Sequence, residues 1–250
     1  MRKIIYLMLT LLVIWGCTQI IIEQPQLPEG IPSSVEIKLS PTALNLFQEC
    51  PTCFWLDRVK KIKRPEDPFP TFFKKMDKQI KEYFDKYRAQ GKLPPELEGK
   101  VIGRPMPDKK KMNKWRNSGI GYKDHELNAK LFGKLDECLV DGNIYIVADY
   151  KTRGYPPKKQ VPSYYQTQLD CYTLLLKENN YKTADFAYLI YYILEDVREG
   201  GTARFKIKPK KVAVDSESAR KVFESAVEVL RSTPPKPDKN CKYCQWRKKP

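Results

Sequence analysis

Two aspartates and a lysine flank a turn-forming dipeptide. Asp136 precedes Asp141-Gly142, and Asp149 and Lys151 follow it. If Asp141-Gly142 is a two-residue hairpin turn, Val140 pairs with Asn143, which sets Asp136 opposite Val147 and Asp149 opposite Lys134. Side chains alternate faces along a strand, so Asp136, Asp149 and Lys151 share one face. The two aspartates are then diagonal neighbours, about 7–8 Å apart at the backbone. Carboxylates at that span suit a hard divalent cation such as Mg2+ or Mn2+, which can polarise a phosphate, supply hydroxide near neutral pH and steady a leaving oxygen. Lys151 would lie beside the attacking water or the charge building on phosphorus. For D…D-x-K alone, two surface acids and a lysine on a solvated hairpin is the plainer reading, because such motifs recur by chance. Against it, Asp149 follows the apolar run Ile144–Ala148, where an unpaired carboxylate is costly.

The second constellation is made of thiols. Of seven cysteines, Cys50 with Cys53 and Cys241 with Cys244 form C-x-x-C pairs near opposite ends of the chain. Four thiolates suit tetrahedral Zn2+ or a 4Fe–4S cluster, and either would tie the ends of the domain together. Cys138 and Cys171 read as ordinary buried thiols. The charge points the same way as the carboxylates. Lys and Arg number 46 against 30 acids, a formal charge of +16. Polyphosphate is the first partner such a surface implies, with a solvated lysine-rich surface as the competing account. Arg153, Lys158 and Lys159 follow the hairpin and could meet a phosphate backbone or line a solvated loop.

These groups need a scaffold, and 250 residues allow one well-packed domain with extensions. Val35–Leu39 alternates as a short strand, and Ser40-Pro41 caps a helix ending near Cys50. Phe72–Arg88 is a second helix, and Lys100–Lys114 reads as a lysine-rich loop or insertion. Lys130–Val140 and Asn143–Lys151 form the hairpin. A helix over Tyr164–Lys177 carries Gln168 and Tyr172 on one face. Strands follow over Ala184–Leu194 and Thr202–Val214, then a helix over Ser216–Ser232 and a proline-rich run into Cys241. Before the domain, residues 1–17 read as a lipoprotein-like leader or as the product of a misplaced start, and Cys17 belongs to that question. Residues 18–34 read as a proline-rich linker, and the domain as residues 35–250.

Three ordered segments resemble the RecB-like branch of the PD-(D/E)XK nuclease superfamily: Gly133-Lys134-Leu135-Asp136, Asp149-Tyr150-Lys151-Thr152, and Gln168 through Tyr172. They match its G-x-x-D, (D/E)-x-K and Q-x-x-x-Y motifs. The opening Leu39–Leu44 followed by Cys50-Pro51 resembles members with an iron–sulfur cluster, including AddB and CRISPR-associated exonucleases. The resemblance implies an α/β fold of the restriction-endonuclease kind, with a mixed central sheet flanked by helices and both ends joined at the four-cysteine metal site. It implies a metal-dependent deoxyribonuclease, exonuclease rather than endonuclease, acting in repair, recombination or defence. Its partners would be DNA and a helicase or other recombination or defence protein, in the cytoplasm; membrane association would follow only from a genuine leader.

By the same resemblance, Asp136, Asp149 and the Tyr150 carbonyl bind Mg2+ or Mn2+, Lys151 is the catalytic lysine, and Gln168 and Tyr172 support the site. The cysteines would hold 4Fe–4S, with zinc as the alternative. Two departures stand out. The helix around Met76–Tyr83 lacks the histidine many relatives use as a further ligand, and the one histidine, His125, reads as a surface residue. The cysteines divide two and two rather than one and three. A catalytically silent DNA- or partner-binding module of the same fold, and an envelope lipoprotein with a zinc-stapled domain, are the competing functions.

Overall fold

A computed structural model of the chain describes residues 29–65 and 71–247. The leader and most of the linker lie outside the described residues. Where the linker does enter, it is docked: the Ile31 N–H donates to Leu230 O at 2.7 Å, and Arg231 donates to the carbonyls of Ile31 and Val35. Among the described residues, no helix is long and apolar enough to cross a membrane.

The chain opens with β1 (Ile37–Leu39), α1 (Pro41–Glu49), α2 (Pro51–Val59) and α3 (Thr71–Arg88). Then come β2 (Arg104–Pro105), α4 (Lys109–Asn117), β3 (Ile120–Asp124) and β4 (Ala129–Gly133). The hairpin strands are β5 (Glu137–Asp141) and β6 (Ile144–Arg153). They are followed by α5 (Ser163–Glu178), β7 (Phe186–Val197), β8 (Ala203–Ala213), α6 (Ser216–Arg231) and α7 (Lys242–Trp246). A five-stranded mixed sheet has the order β2-β5-β6-β7-β8, with β6 and β7 parallel and the other pairs antiparallel. A three-stranded sheet has the order β1-β4-β3. This is the mixed α/β fold with flanking helices that the resemblance implies.

Alternation along β6 divides the core in two. Val147 faces a cluster built with Leu169, Cys171, Leu189, Phe223 and Leu230. Ile146, Ala148 and Tyr150 face the other side, against Ile80 and Phe84 of α3. Cys138 and Cys171 are buried, and His125 is exposed, as expected.

Four expectations change. The long first hairpin strand is two strands in different sheets: β4 ends at Gly133, Leu135 is buried, and Asp136 lies at a bend before β5. The turn is Gly142-Asn143 rather than Asp141-Gly142, with Asp141 paired to Ile144. Gly142 has φ +58°, which places the glycine at the first central position of the turn rather than the second. The register therefore slides by two, which preserves every face and brings the start of β5 level with Asp149. Residues 109–117 form α4 instead of a loop, capped by Asp108 accepting from the Lys111 N–H at 2.8 Å; the lysines hide a buried pair, Met112 and Trp115. Finally α2 continues after α1 because Cys50 ends one helix and caps the next.

Two buried carboxylates hold this frame. Glu137, fully buried on β5, accepts from Arg88 Nη2 at 2.6 and 2.5 Å, from Arg116 Nη2 at 2.8 Å and from the Tyr150 hydroxyl at 2.9 Å. It thereby joins α3, α4 and β6. Glu137→Gln would leave two buried guanidinium groups short of counter-charge, and is expected to destabilise the fold by about 3–5 kcal/mol. A urea midpoint unchanged from wild type would contradict this.

Asp170 on α5 accepts from the Asp215 N–H and from Gln166, each at 2.9 Å. Burial raises its carboxyl to about 6 against the pull of these hydrogen bonds. The folded state then binds more protons than the unfolded state between about pH 4 and 6, so this group's contribution falls as pH rises through that window. Asp170→Asn keeps the accepting Oδ1 and removes the buried charge. It is expected to stabilise the protein by roughly 1–3 kcal/mol at pH 7.5 and by less at pH 4.5, read from denaturant curves at both pH values.

Candidate active site and cysteine clasp

Asp149 and Lys151 project from the β6 face against which α5 packs, and Asp136 lies just before β5, the neighbouring strand. Asp149 is fully buried. Neither of its oxygens accepts an aligned hydrogen bond, and its close partner is the Lys151 ammonium, in ion-pair contact with Oδ2. Burial and then the Asp136 charge raise the Asp149 carboxyl to about 7, against the opposing pull of Lys151. A buried carboxylate whose oxygens lack aligned donors keeps lone pairs available to a cation. Its oxygens, those of Asp136 and a backbone carbonyl form the hard donor set that Mg2+ or Mn2+ takes, so the residues fit the metal.

Lys151 is held on three sides. Its ammonium contacts Asp149, donates to Gln168 Oε1 at 3.1 Å and lies 4.6 Å from the centre of the Tyr165 ring. Gln168 Nε2 in turn donates to the Tyr172 hydroxyl at 2.9 Å. Burial pushes the Tyr172 hydroxyl well above its ordinary pKa, so it remains a neutral acceptor. Gly133 belongs to the same chain of contacts, since a Cβ there would meet Tyr172 Cε1 at 2.6 Å. The glycine of G-x-x-D is thus a space for Tyr172 rather than a backbone turn.

The structure brings Asp136, Asp149, Tyr150, Lys151, Gln168 and Tyr172 together. Arg153 follows Lys151 on the same strand, and Lys158 and Lys159 are exposed in the loop beyond it. Sequence reasoning missed Lys81. It extends from α3 to Asp136 Oδ1 at 2.8 Å and to Asp77 Oδ2 at 2.7 Å. The Asp77/Lys81 spacing of four was its only sequence signal. A cavity of about 510 Å³, lined by Phe73, Asp77, Asp136, Lys151 and Tyr165 among others, opens at this point.

The clasp lies at the C-terminal end of α1. Cys50 donates its N–H to Leu46 O at 2.9 Å, and its Sγ accepts from the Cys53 N–H at 3.4 Å. Cys241 precedes α7 and Cys244 lies within it. The sulfurs of Cys50 and Cys244 are 3.5 Å apart, and Cys53 lies 3.7 Å from both Cys241 and Cys244. All four residues are buried, and no disulfide joins them. Arg247 and Arg64 donate to Cys53 and Cys241 at 2.8 and 3.5 Å. A converging set of soft donors with cationic neighbours fits a metal held by thiolates.

The profile of the PD-(D/E)XK nuclease superfamily matches residues 97–248, more than half of the chain. The chain belongs to this superfamily. The match runs from before β2 to beyond α7 and includes all three motifs and the second cysteine pair. A comparison with curated proteins finds no match.

Lys81 competes with any cation for Asp136. Lys81→Met is expected to tighten Mn2+ binding at the carboxylates by about tenfold, the equivalent of roughly 1.4 kcal/mol, in calorimetric titrations. Unchanged or weaker binding would mean that the ammonium does not occupy the cation's place.

Proposed function

We propose that the protein is a metal-dependent deoxyribonuclease in which Asp136, Asp149 and the Tyr150 carbonyl hold Mg2+ or Mn2+ and Lys151 acts on the reacting phosphate. The observation that carries this reading is the fully buried Asp149 carboxylate without an aligned donor, set beside Asp136 and Lys151. A divalent cation there would polarise the scissile phosphate and activate the attacking water. Lys151 donates to that water or to a phosphoryl oxygen, and its ammonium offsets charge developing in the transition state. Gln168 fixes the ammonium through its Oε1, and Tyr172 fixes the orientation of Gln168. The Tyr165 ring covers Lys151 and limits its access to water.

DNA as substrate is supported by cations on the same sheet face. The β6–β7–β8 register aligns Lys151 with Tyr191 and Lys208, and Arg153 with Ile193 and Lys206. Asp149 aligns with Leu189 and Lys210, and the Lys210 ammonium contacts the Lys159 carbonyl. With Lys158, these residues form a basic margin beside the carboxylates, suited to phosphate contacts. Exonucleolytic action in repair, recombination or defence follows from the resemblance, with a helicase or related recombination protein as partner. The cytoplasm is where such a substrate is found.

The Lys81–Asp136 ion pair favours a second reading, a catalytically silent module that binds DNA without cutting it. Both readings are tested by incubating the full chain, purified without oxygen, with single- and double-stranded DNA and Mg2+ or Mn2+, beside Lys151→Ala. We expect metal-dependent cleavage, lowered at least about 10²-fold in the variant with DNA binding retained. DNA bound but never cut would establish the silent module, and equal cleavage by the variant would remove Lys151 from the mechanism.

A further inference from the structure

We infer that the clasp holds a single tetrahedral zinc ion rather than the 4Fe–4S cluster implied by the resemblance. Spacing separates the two. Four thiolates around one ion, at a Zn–S length of about 2.3 Å, occupy a tetrahedron whose edges are about 1.6 times as long, roughly 3.8 Å. The sulfur separations are 3.5, 3.7 and 3.7 Å, and no pair among the four exceeds 4.8 Å. In a cubane each thiolate binds a different iron, so the sulfurs must stand apart by the width of the cluster and its terminal bonds.

The surroundings oppose such an expansion. Cys50 Sγ is occupied in capping α2, and Arg247 holds Cys53 Sγ at 2.8 Å. The Thr52 hydroxyl donates to Lys236 O at 2.7 Å, and Trp55 Nε1 donates to Ser232 O at 3.0 Å, fixing the run that leads to Cys241 against α2. None of the four cysteines is more than 8% exposed. Four protein thiolates also leave no open position, which marks a structural rather than a catalytic ion. The thiolates would exceed the charge of Zn2+ by two; Arg247 donates to Cys53 Sγ, and Arg64, which also pairs with Glu49 at 2.7 Å, donates to Cys241 Sγ, so guanidinium groups offset part of that excess at the sulfurs.

The ion's work is mechanical. A five-residue helix such as α7 has little stability of its own, so an ion shared with Cys50 and Cys53 would fix its position beyond what the contact of Arg64 with the Tyr243 ring supplies. Binding energy at such a site is folding energy.

The test reads metal content and does not depend on nuclease activity. The full chain is expressed with iron and zinc both supplied, purified without oxygen or chelators, and assayed for zinc, iron and acid-labile sulfide. We expect about one zinc per chain, no sulfide and a colourless protein. The zinc should be released by a thiol-reactive mercurial, a measurement on wild-type protein that avoids clasp variants too unstable to fold. Growth with Co2+ in place of zinc should yield the intense visible bands of tetrahedral cobalt thiolate. Iron at the site, with or without sulfide, overturns the inference, and so does a metal-free protein with four titratable thiols.

Discussion

The placement of the two aspartates depends on a buried charge one residue away from Asp136. Strand alternation sends Asp149 and Lys151 to one face of β6 and Tyr150 to the other, where its hydroxyl meets Glu137. Glu137 also receives Arg88 and Arg116, while Arg116 Nε donates to the carbonyl of Asp136 at 2.8 Å. The same guanidinium reaches Asp85 at 2.9 Å. The bend that presents Asp136 is therefore fixed from behind by charge-assisted hydrogen bonds linking α3, α4, β5 and β6. Such bonds are geometrically demanding, and breaking one partner leaves an uncompensated buried charge. This differs from a hydrophobic core, which would tolerate small shifts that a metal site cannot.

That network also explains which parts of the site were legible. Asp149, Lys151, Gln168 and Tyr172 obey local periods, two along a strand and four along a helix, so their relative placement could be read directly. The faces remained correct even with a misread turn, because the register slid by an even number of residues. Asp136 was placed on the correct face for an incomplete reason: it lies at a bend between two sheets, not within one long strand. Glu137, Arg88 and Arg116 carried no local signal. In sequence they are ordinary charged residues, Arg88 and Arg116 among lysines and Glu137 beside Asp136, and only the packing of α3 and α4 on β5 makes them partners. Lys81 was hidden in the same way, by reading α3 for its apolar stripe alone.

Helices were missed where composition masked their apolar face. Met112 and Trp115 are buried on α4 amid lysines and arginine, so the segment's charge suggested a loop. At α2 the helix expected to end near Cys50 is followed at once by another, because Pro51 sits at the first helical position, where its missing N–H costs nothing.

The clasp and the carboxylates are remote in sequence yet share a mechanical path. α2 follows α1 directly through Cys50, and α1 is bonded to α5: Asn45 donates to Tyr164 O at 3.1 Å, and the Thr167 hydroxyl donates to Gln48 at 2.6 Å. Thr167 immediately precedes Gln168, whose Oε1 receives Lys151. A loosened clasp would act on α1 first, then on the first turns of α5, and only through them on the lysine. The carboxylates lie on the other side of that path, since Asp136 and Asp149 are held by β5, β6 and the Glu137 network. Loss of the clasp should therefore disturb the position of Lys151 before it disturbs the donor set for the divalent cation. That order follows from two separate supports, one built on the four converging cysteines and the other on the Glu137 carboxylate.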